Sequence, residues 1–346
     1  KKLAGDLFGL TKTAKSPQQL NSMIAKCDAA THAGLNKEYS AYVRSLKAWA
    51  LKRRGENRYE TAKQLKSIGN VAQYELAIKQ AMSDFDDSIA IDTAKYRTFN
   101  ARGIAFILDE QYAAAARDFS KAVVLRADYT QGYFNRAEAL SALDKHELAI
   151  KDYTNVLRLS PDDAQALTGR GHAYVALKKF KEALADYNVV INAHPSNALA
   201  LINRGDCHQS AGNWQASLID YAAAKKLTGS GSNKLSDLAD QRTAWVLASA
   251  SDASVRDAEK AMALIKPCVD RSSSPSVAML ETLAAAQAAS GRFEEAKQNQ
   301  TKAIQLTGAE VVLNGDKAEG SPHQVRMALY EEEKPFVQPT PVESKK

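Results

Sequence analysis

Apolar and small residues recur every three or four positions along most of the chain. They form stretches of about 12 to 14 residues, each long enough for an amphipathic helix. Short polar breaks such as "LKKF" (177–180) and "AGNW" (211–214) separate them. The pattern itself repeats at a constant interval, and segments 96–129, 130–163, 164–197 and 198–231 align without gaps. Their eighth places are small: Gly103, Ala137, Gly171 and Gly205. So are the twentieth places, Ala115, Ala149, Ala183 and Ser217, and the twenty-seventh are slim: Ala122, Val156, Val190 and Ala224. The fourth places are bulky (Phe99, Tyr133, Leu167, Leu201), and the twenty-fourth are aromatic (Phe119, Tyr153, Tyr187, Tyr221). Pro161 and Pro195 close two of the segments.

Two helices joined by so short a break pack as antiparallel neighbours. Small residues let the backbones approach, and bulky ones fill the space around the contact. One such pair cannot bury its apolar faces alone, so successive pairs must stack.

One charged residue breaks the apolar stripe at a constant place. Arg102, Arg136, Arg170 and Arg204 occupy the seventh position of the four segments. Each is answered by an aspartate at the twenty-third position, namely Asp118, Asp152, Asp186 and Asp220, just before the aromatic. In an antiparallel pair this constant offset predicts an arginine–aspartate ladder, one bridge per repeat, with the arginine stems packed along apolar surface. A row of anion-binding arginines is the alternative reading of the same residues.

The repeating unit resembles the tetratricopeptide repeat family. The segment "AQALTGRGHAYVALKKFKEALADYNVVINAHPSN" (164–197) agrees with that family's pattern at its small, bulky and proline positions together. The resemblance implies an all-α superhelical solenoid of antiparallel helix pairs. It divides the chain into an N-terminal extension (1–15), divergent N-terminal helices with a degenerate repeat (16–95), and four regular repeats (96–231). Two partly divergent repeats (232–310) and a C-terminal capping helix with an extended tail (311–346) follow. Within 16–95, "PQQLNSMIAKCDAATHAG" and "KEYSAYVRSLKAWALKRRG" read as a helix pair. The stretch 75–92 reads as a second helix whose first helix has decayed. About ten residues around "TGSGSNK" (228–234) read as a loop. Ser321-Pro322 has the chemistry of a helix start.

Composition narrows the function. The net charge is +6, but residues 1–66 hold 14 Lys and Arg against five Asp and Glu, so the basic character is local. It peaks at "LKRRGENR" (51–58), read as a solvated helix end with Lys52, Arg53 and Arg54 opposing the helix dipole rather than as a nucleic-acid surface. Cys27, Cys207 and Cys268 are far apart and read as buried packing residues. No phosphate-binding glycine loop, GxSxG, HExxH or CxxC occurs. Asp206, Cys207 and His208 are consecutive and diverge around a helix, so they form no ligand set. Neither an enzyme, nor a metal site, nor any cofactor is expected. No apolar run is long enough to span a bilayer. The chain opens on Lys-Lys without an initiator methionine, as it would at a fragment boundary or after a cleaved leader.

The resemblance also implies a groove lined by the first helices at their second, fifth, ninth and twelfth places. These are Arg97, Asn100, Ile104 and Ile107 in the first repeat, and Gln131, Phe134, Glu138 and Ser141 in the second. They are Gln165, Thr168, His172 and Val175 in the third, and Leu199, Ile202, Asp206 and Gln209 in the fourth. Amides to bond a backbone, with Phe134, Leu199 and Ile202 as apolar docks, suit an extended peptide or a partner helix. The proline-rich tail "KPFVQPTPVESKK" has the character such a groove accepts. Arg97 is the only cation in this set, so the clamp for acidic peptides found in some members is not implied. The expectation is a scaffold that binds a protein or peptide partner; the alternative is a structural protein that self-assembles through the array ends. "LKAWALKRRGE", "ETLAAAQAASGRFEEA" and "RMALYEEEKPF" together resemble a largely uncharacterised group of bacterial tetratricopeptide proteins. That resemblance implies the periplasm or cell envelope, with the cytoplasm as the alternative.

Overall fold

The computed structural model describes residues 2–32, 35–229, 233–307 and 321–339, with side chains from Leu7 onward. Residues 230–232 of the expected loop, residues 308–320 and the tail from 340 lie outside the described residues. Among those described, every regular element is an α-helix. The chain forms two compact units, residues 1–169 and 170–346.

Unit 1 opens with α1 (Lys2–Thr13), α2 (Pro17–His32) and the long α3 (Lys37–Ser67). Leu7, Leu20, Met23, Cys27, Val43 and Leu46 form their shared core. The expected N-terminal extension therefore contains a packed helix. Next come α4 (Val71–Ile91), α5 (Tyr96–Leu108), α6 (Tyr112–Leu125), α7 (Thr130–Ser141) and α8 (His146–Leu159). Helix α9 (Ala164–Ala176) crosses from unit 1 into unit 2. Unit 2 continues with α10 (Phe180–Ala193), α11 (Ala198–Ser210), α12 (Trp214–Thr228), α13 (Lys234–Ser249), α14 (Ala258–Arg271), α15 (Val277–Ala289), α16 (Phe293–Leu306) and α17 (Pro322–Glu331). Each unit is a stack of antiparallel pairs, the architecture of an all-α solenoid. Among the described residues no helix is long and apolar enough to cross a membrane.

The short breaks are tight because one residue in each adopts a left-handed backbone. Glu110, Asp144 and Lys178 have φ of 60°, 56° and 57°, and Gly212 has 76°. The next residue's N–H then turns back onto the helix, as Gln111 N to Phe106 O at 2.8 Å and Asn213 N to His208 O at 2.8 Å. This closes the carbonyls that a helix end leaves open.

Three expectations need correction. The expected loop does not run to ten residues: α12 reaches Thr228, and Asn233 caps a helix from Lys234, its side chain accepting from Ser236 N. "LKRRGENR" is not a helix end but the middle of α3. Nor has the first helix of the 75–92 repeat decayed. Arg54 and Gly55 play the seventh and eighth places, and Asp84 and Phe85 answer them from α4. Arg54 and Asp84 are 30 residues apart, where Arg102 and Asp118 are 16 apart. Helix α3 continues from Arg54 to Ser67, whereas α5 stops at Leu108, much closer to Arg102. Likewise α4 starts at Val71, well ahead of Asp84, whereas α6 starts at Tyr112, close to Asp118. Each helix of the pair is thus longer by about two turns, so the facing side chains keep their register.

Candidate functional site

The arginines sit where the paired helices meet. Arg102 donates from Nε and Nη2 to Asp118 at 2.7 and 2.7 Å. Arg136 does the same to Asp152 at 2.7 and 2.6 Å, and Arg204 to Asp220 at 2.9 and 2.6 Å. In the third repeat Arg170 reaches Asp186 at 2.8 and 2.7 Å. The four aspartates are buried and the arginine side chains about four-fifths covered. The hydrogen bond to the aspartate pushes each guanidinium pKa up, against the opposing pull of burial. The remaining nitrogen adds a link the sequence analysis missed. Nη1 of Arg102, Arg136 and Arg204 reaches 16 residues back, to Asp86, Ser120 and Asn188 at 2.6, 3.2 and 2.7 Å. These arginines therefore tie their own pair to the one before, and no open anion site remains at those three forks.

A second ladder runs beside the first. It joins the ninth place to the aromatic twenty-fourth. Glu138 accepts from the Tyr153 hydroxyl, and Asp206 accepts from Tyr221 at 2.7 Å. The ring of His172 lies 5.9 Å from that of Tyr187. Opposite Phe119, which has no hydroxyl, the ninth place is Ile104, packed in the same cluster. The ring itself lies over the eighth place. A Cβ on Gly171 would stand 2.6 Å from Tyr187, and one on Gly205 2.5 Å from Tyr221. The signal was legible as a pairing of acceptors with tyrosines and of isoleucine with phenylalanine.

The expected groove set therefore divides. Asn100 and Ile202 are buried, at 8% and 1% exposure, and are not available docks. Asn100 turns toward the neighbouring first helix, its Oδ1 accepting from Asn135 at 2.9 Å. Phe134 is half-buried, its ring edge-on to Tyr153. Glu138, Ile104 and Asp206 are engaged by the second ladder, and Asp206 also meets Arg242 at 3.0 Å. Arg97, Gln131, Gln165, His172 and Leu199 are exposed, while Thr168 is half-buried. Gln209 contacts the C-terminal tail.

Within unit 1, Arg97 and Ile104 line a cleft of about 430 Å³ between α3 and α5. Tyr59, Asn57, Arg53 and Glu60 of α3 and Tyr129, before α7, complete its wall. The Arg97 guanidinium lies over the Tyr96 ring at 5.6 Å. The cleft thus offers aromatic faces, amides and charges of both signs. Lys52 and Arg53, in the basic peak, both bridge to Glu56 at 2.6 and 2.8 Å, while Arg54 and Arg58 converge on buried Asp84 at 2.5 and 2.7 Å. All four cations of the peak are thus paired, two to each carboxylate, which leaves a local surplus of positive charge.

Other reactive groups are occupied. All three cysteines are buried. Burial pushes the thiol of Cys27 up to about 11 and that of Cys207 up to about 12, away from the reactive thiolate. Asp237, Asp240 and Cys268 bring three donor atoms together. Both carboxylates already carry cations, Arg271 on Asp237 at 2.8 Å and Lys225 on Asp240 at 2.5 Å.

Comparisons with known proteins bear on the repeat and the fold. The family model of the tetratricopeptide repeat matches residues 134–193 and 168–232. A tetratricopeptide repeat protein of Parabacteroides merdae is similar in structure over 80% of this chain and 98% of its own, at 16% identity and a TM-score of 0.60. YrrB, described as a tetratricopeptide protein with an unusual peptide-binding site, covers 53% of this chain and 90% of its own, at 19% identity and a TM-score of 0.42.

Proposed function

The chain carries tetratricopeptide repeats, and from that premise we propose that it is a non-enzymatic scaffold that binds a protein or peptide partner on the first-helix face of unit 1. The observation that carries the reading is the cleft between α3 and α5. It presents the aromatic faces of Tyr59 and Tyr129 beside the exposed Arg97 and the side chain of Asn57, whose Nδ2 already donates to Lys15 O at 2.8 Å. Amides bond an extended backbone, and half-exposed aromatics cover its side chains. Arg97 takes no part in the ladder, whose fork contacts belong to Arg102; its contacts are with its neighbour Tyr96.

A partner captured from the native cell supplies the ligand, and the titration decides. Arg97→Ala and Tyr59→Ala are expected to weaken binding by about tenfold, the usual effect of removing a contact worth about 1–2 kcal/mol. Lys181→Ala, on a second helix in unit 2, is expected to change nothing. A partner that binds the Arg97 and Tyr59 variants as tightly as the parent overturns the reading. Periplasmic or envelope location, implied by the bacterial resemblance, belongs to the same proposal and is checked by fractionating the native cell.

A further inference from the structure

The segment after α17 is seated on the first-helix face of unit 2. Glu333, with φ of 54°, turns the chain out of α17, and Lys334 N closes the turn on Leu329 O at 2.8 Å. Beyond it residues 334–339 belong to no helix or turn. Phe336 packs 5.7 Å from the Trp245 ring, and the Arg326 guanidinium lies 5.5 Å from Phe336 and 5.6 Å from Trp245. Two residues on, Gln338 makes three hydrogen bonds to the helices. Its N–H donates to Ser249 O at 2.7 Å, and its side-chain amide donates to Ser249 Oγ at 2.8 Å. Its side-chain oxygen accepts from Gln209 at 3.2 Å. Between them Val337 stays exposed, so alternate residues are read, as along any extended chain.

We propose that Gln209, Trp245, Ser249 and Arg326 form a recognition site for an extended peptide bearing an aromatic residue and, two positions later, a glutamine. The chain's own Phe336-Val337-Gln338 holds that site in cis and competes with a partner segment of the same chemistry. The requirement for a side-chain amide, glutamine in the resident segment, follows from its two-sided chemistry. One end must donate to a hydroxyl and the other accept from an amide, which neither a carboxylate nor an ammonium does. Ser249 ends α13, so its carbonyl has no donor within the helix and takes one from whichever chain lies there. Beside the tail a cleft of about 340 Å³, lined by Gln209, Trp245, Arg326 and Arg242, leaves room for a segment bulkier than the resident one. This site lies in unit 2, and the inference stands or falls independently of the cleft proposed in unit 1.

The test uses the full chain with Phe336→Ala and Gln338→Ala together, and a fluorescent peptide of the sequence Glu331 to Pro339, EEEKPFVQP. A tethered segment competes at an effective concentration on the order of millimolar, so the peptide is expected to bind the double variant at least about tenfold more tightly than the parent. The peptide with alanine for its phenylalanine is expected to lose that binding, and Gln209→Ala in the double variant is expected to weaken it. A peptide that binds parent and variant equally, or binds neither, overturns the proposal and leaves the tail as a helix cap only. A direct reading on the unaltered chain is hydrogen exchange at the Gln338 amide. Slow exchange that accelerates with excess peptide supports the site, whereas exchange at the free-chain rate overturns it. A parent dimer that the double variant does not form shows tails exchanged between copies and overturns the cis assignment.

Discussion

The regular pairs α5 to α12 and the terminal group α15 to α17 place their buried charges in opposite ways. In the regular pairs an arginine on the first helix meets an aspartate on the second, always 16 residues away. In the terminal pair the corresponding places are Leu283 and Asn299, and the aromatic place is Gln300. The buried carboxylate there is Glu281, held by Arg326 and His323 from α17. Gln300 donates to His323 O at 2.9 Å, and Tyr330 of α17 fills the cluster around Ala284, the eighth place. A repeat with a neighbour on both sides carries its own tie. The pair α15–α16 takes both its charge partner and its aromatic from α17, which covers the face that the next pair covers in a regular array.

This contrast predicts that the largest single loss falls at the end of the array. Arg326→Ala leaves Glu281 buried beside a half-buried histidine and removes the lid over Trp245 and Phe336. A cost of about 3–5 kcal/mol is expected. Stacked repeats unfold in part, so the check is hydrogen exchange resolved by helix, with α15 to α17 losing protection first. Equal loss throughout unit 2 would break the contrast.

Arg136→Ala in a regular pair is expected to cost less, about 2 kcal/mol, since its guanidinium is partly solvated and the pair lies between the exposed and fully buried cases. Adding Asp152→Leu is expected to recover most of the loss in urea unfolding, since the orphaned carboxylate is then gone. Failure to recover would mean that the link back to Ser120 matters more than the pair itself.

Gly171→Ala tests the approach of ring to backbone and is expected to cost about 1–2 kcal/mol by overpacking. The second repeat already has Ala137 at this place, and the ring of Tyr153 lies against Gly169, 2.5 Å from where a Cβ would stand. Tyr221→Phe removes the donor to Asp206 while keeping the ring, for about 1 kcal/mol. Phe119→Tyr is the converse, placing a hydroxyl opposite Ile104, and is expected to destabilise. A neutral result at both positions would remove the second ladder's energetic role.

The smallest expected effect is one of pH. Burial alone pushes the Glu281 carboxyl up, but hydrogen bonds and charge from Arg326 and His323 outweigh it and hold the pKa below its ordinary 4.5. A carboxyl depressed in the folded state contributes its stability fully above that value. The contribution is lost as the pH falls through the folded pKa. Thermal unfolding between pH 6 and 3, compared with Glu281→Gln, is expected to show a step below about pH 4.5 that the variant lacks.

The period, the helix pairs and the places of Arg102, Arg136, Arg170 and Arg204 with their aspartates were all legible in the chain, because a repeat shows the same solution several times. A constant offset in sequence becomes a constant distance across an antiparallel pair. The pairing of Glu138 with Tyr153 and of Ile104 with Phe119 was present at the same level, but it was hidden by treating the ninth place as groove lining. What broke the period was not legible. The longer helices on either side of Ile68 make the Arg54–Asp84 tie look absent in one dimension, although two extra turns in each restore it in space. Ile202 and Leu199 stand three positions apart on one helix, and only packing decides that the first is buried and the second is 46% exposed. The contacts of Glu281 with Arg326, and of Gln209 with Gln338, join residues 45 and 129 positions apart. No local spacing encodes such pairs. They arise because the stack places α17 and the tail against α11, α13 and α15, and the buried groups there take the partners that this placement provides.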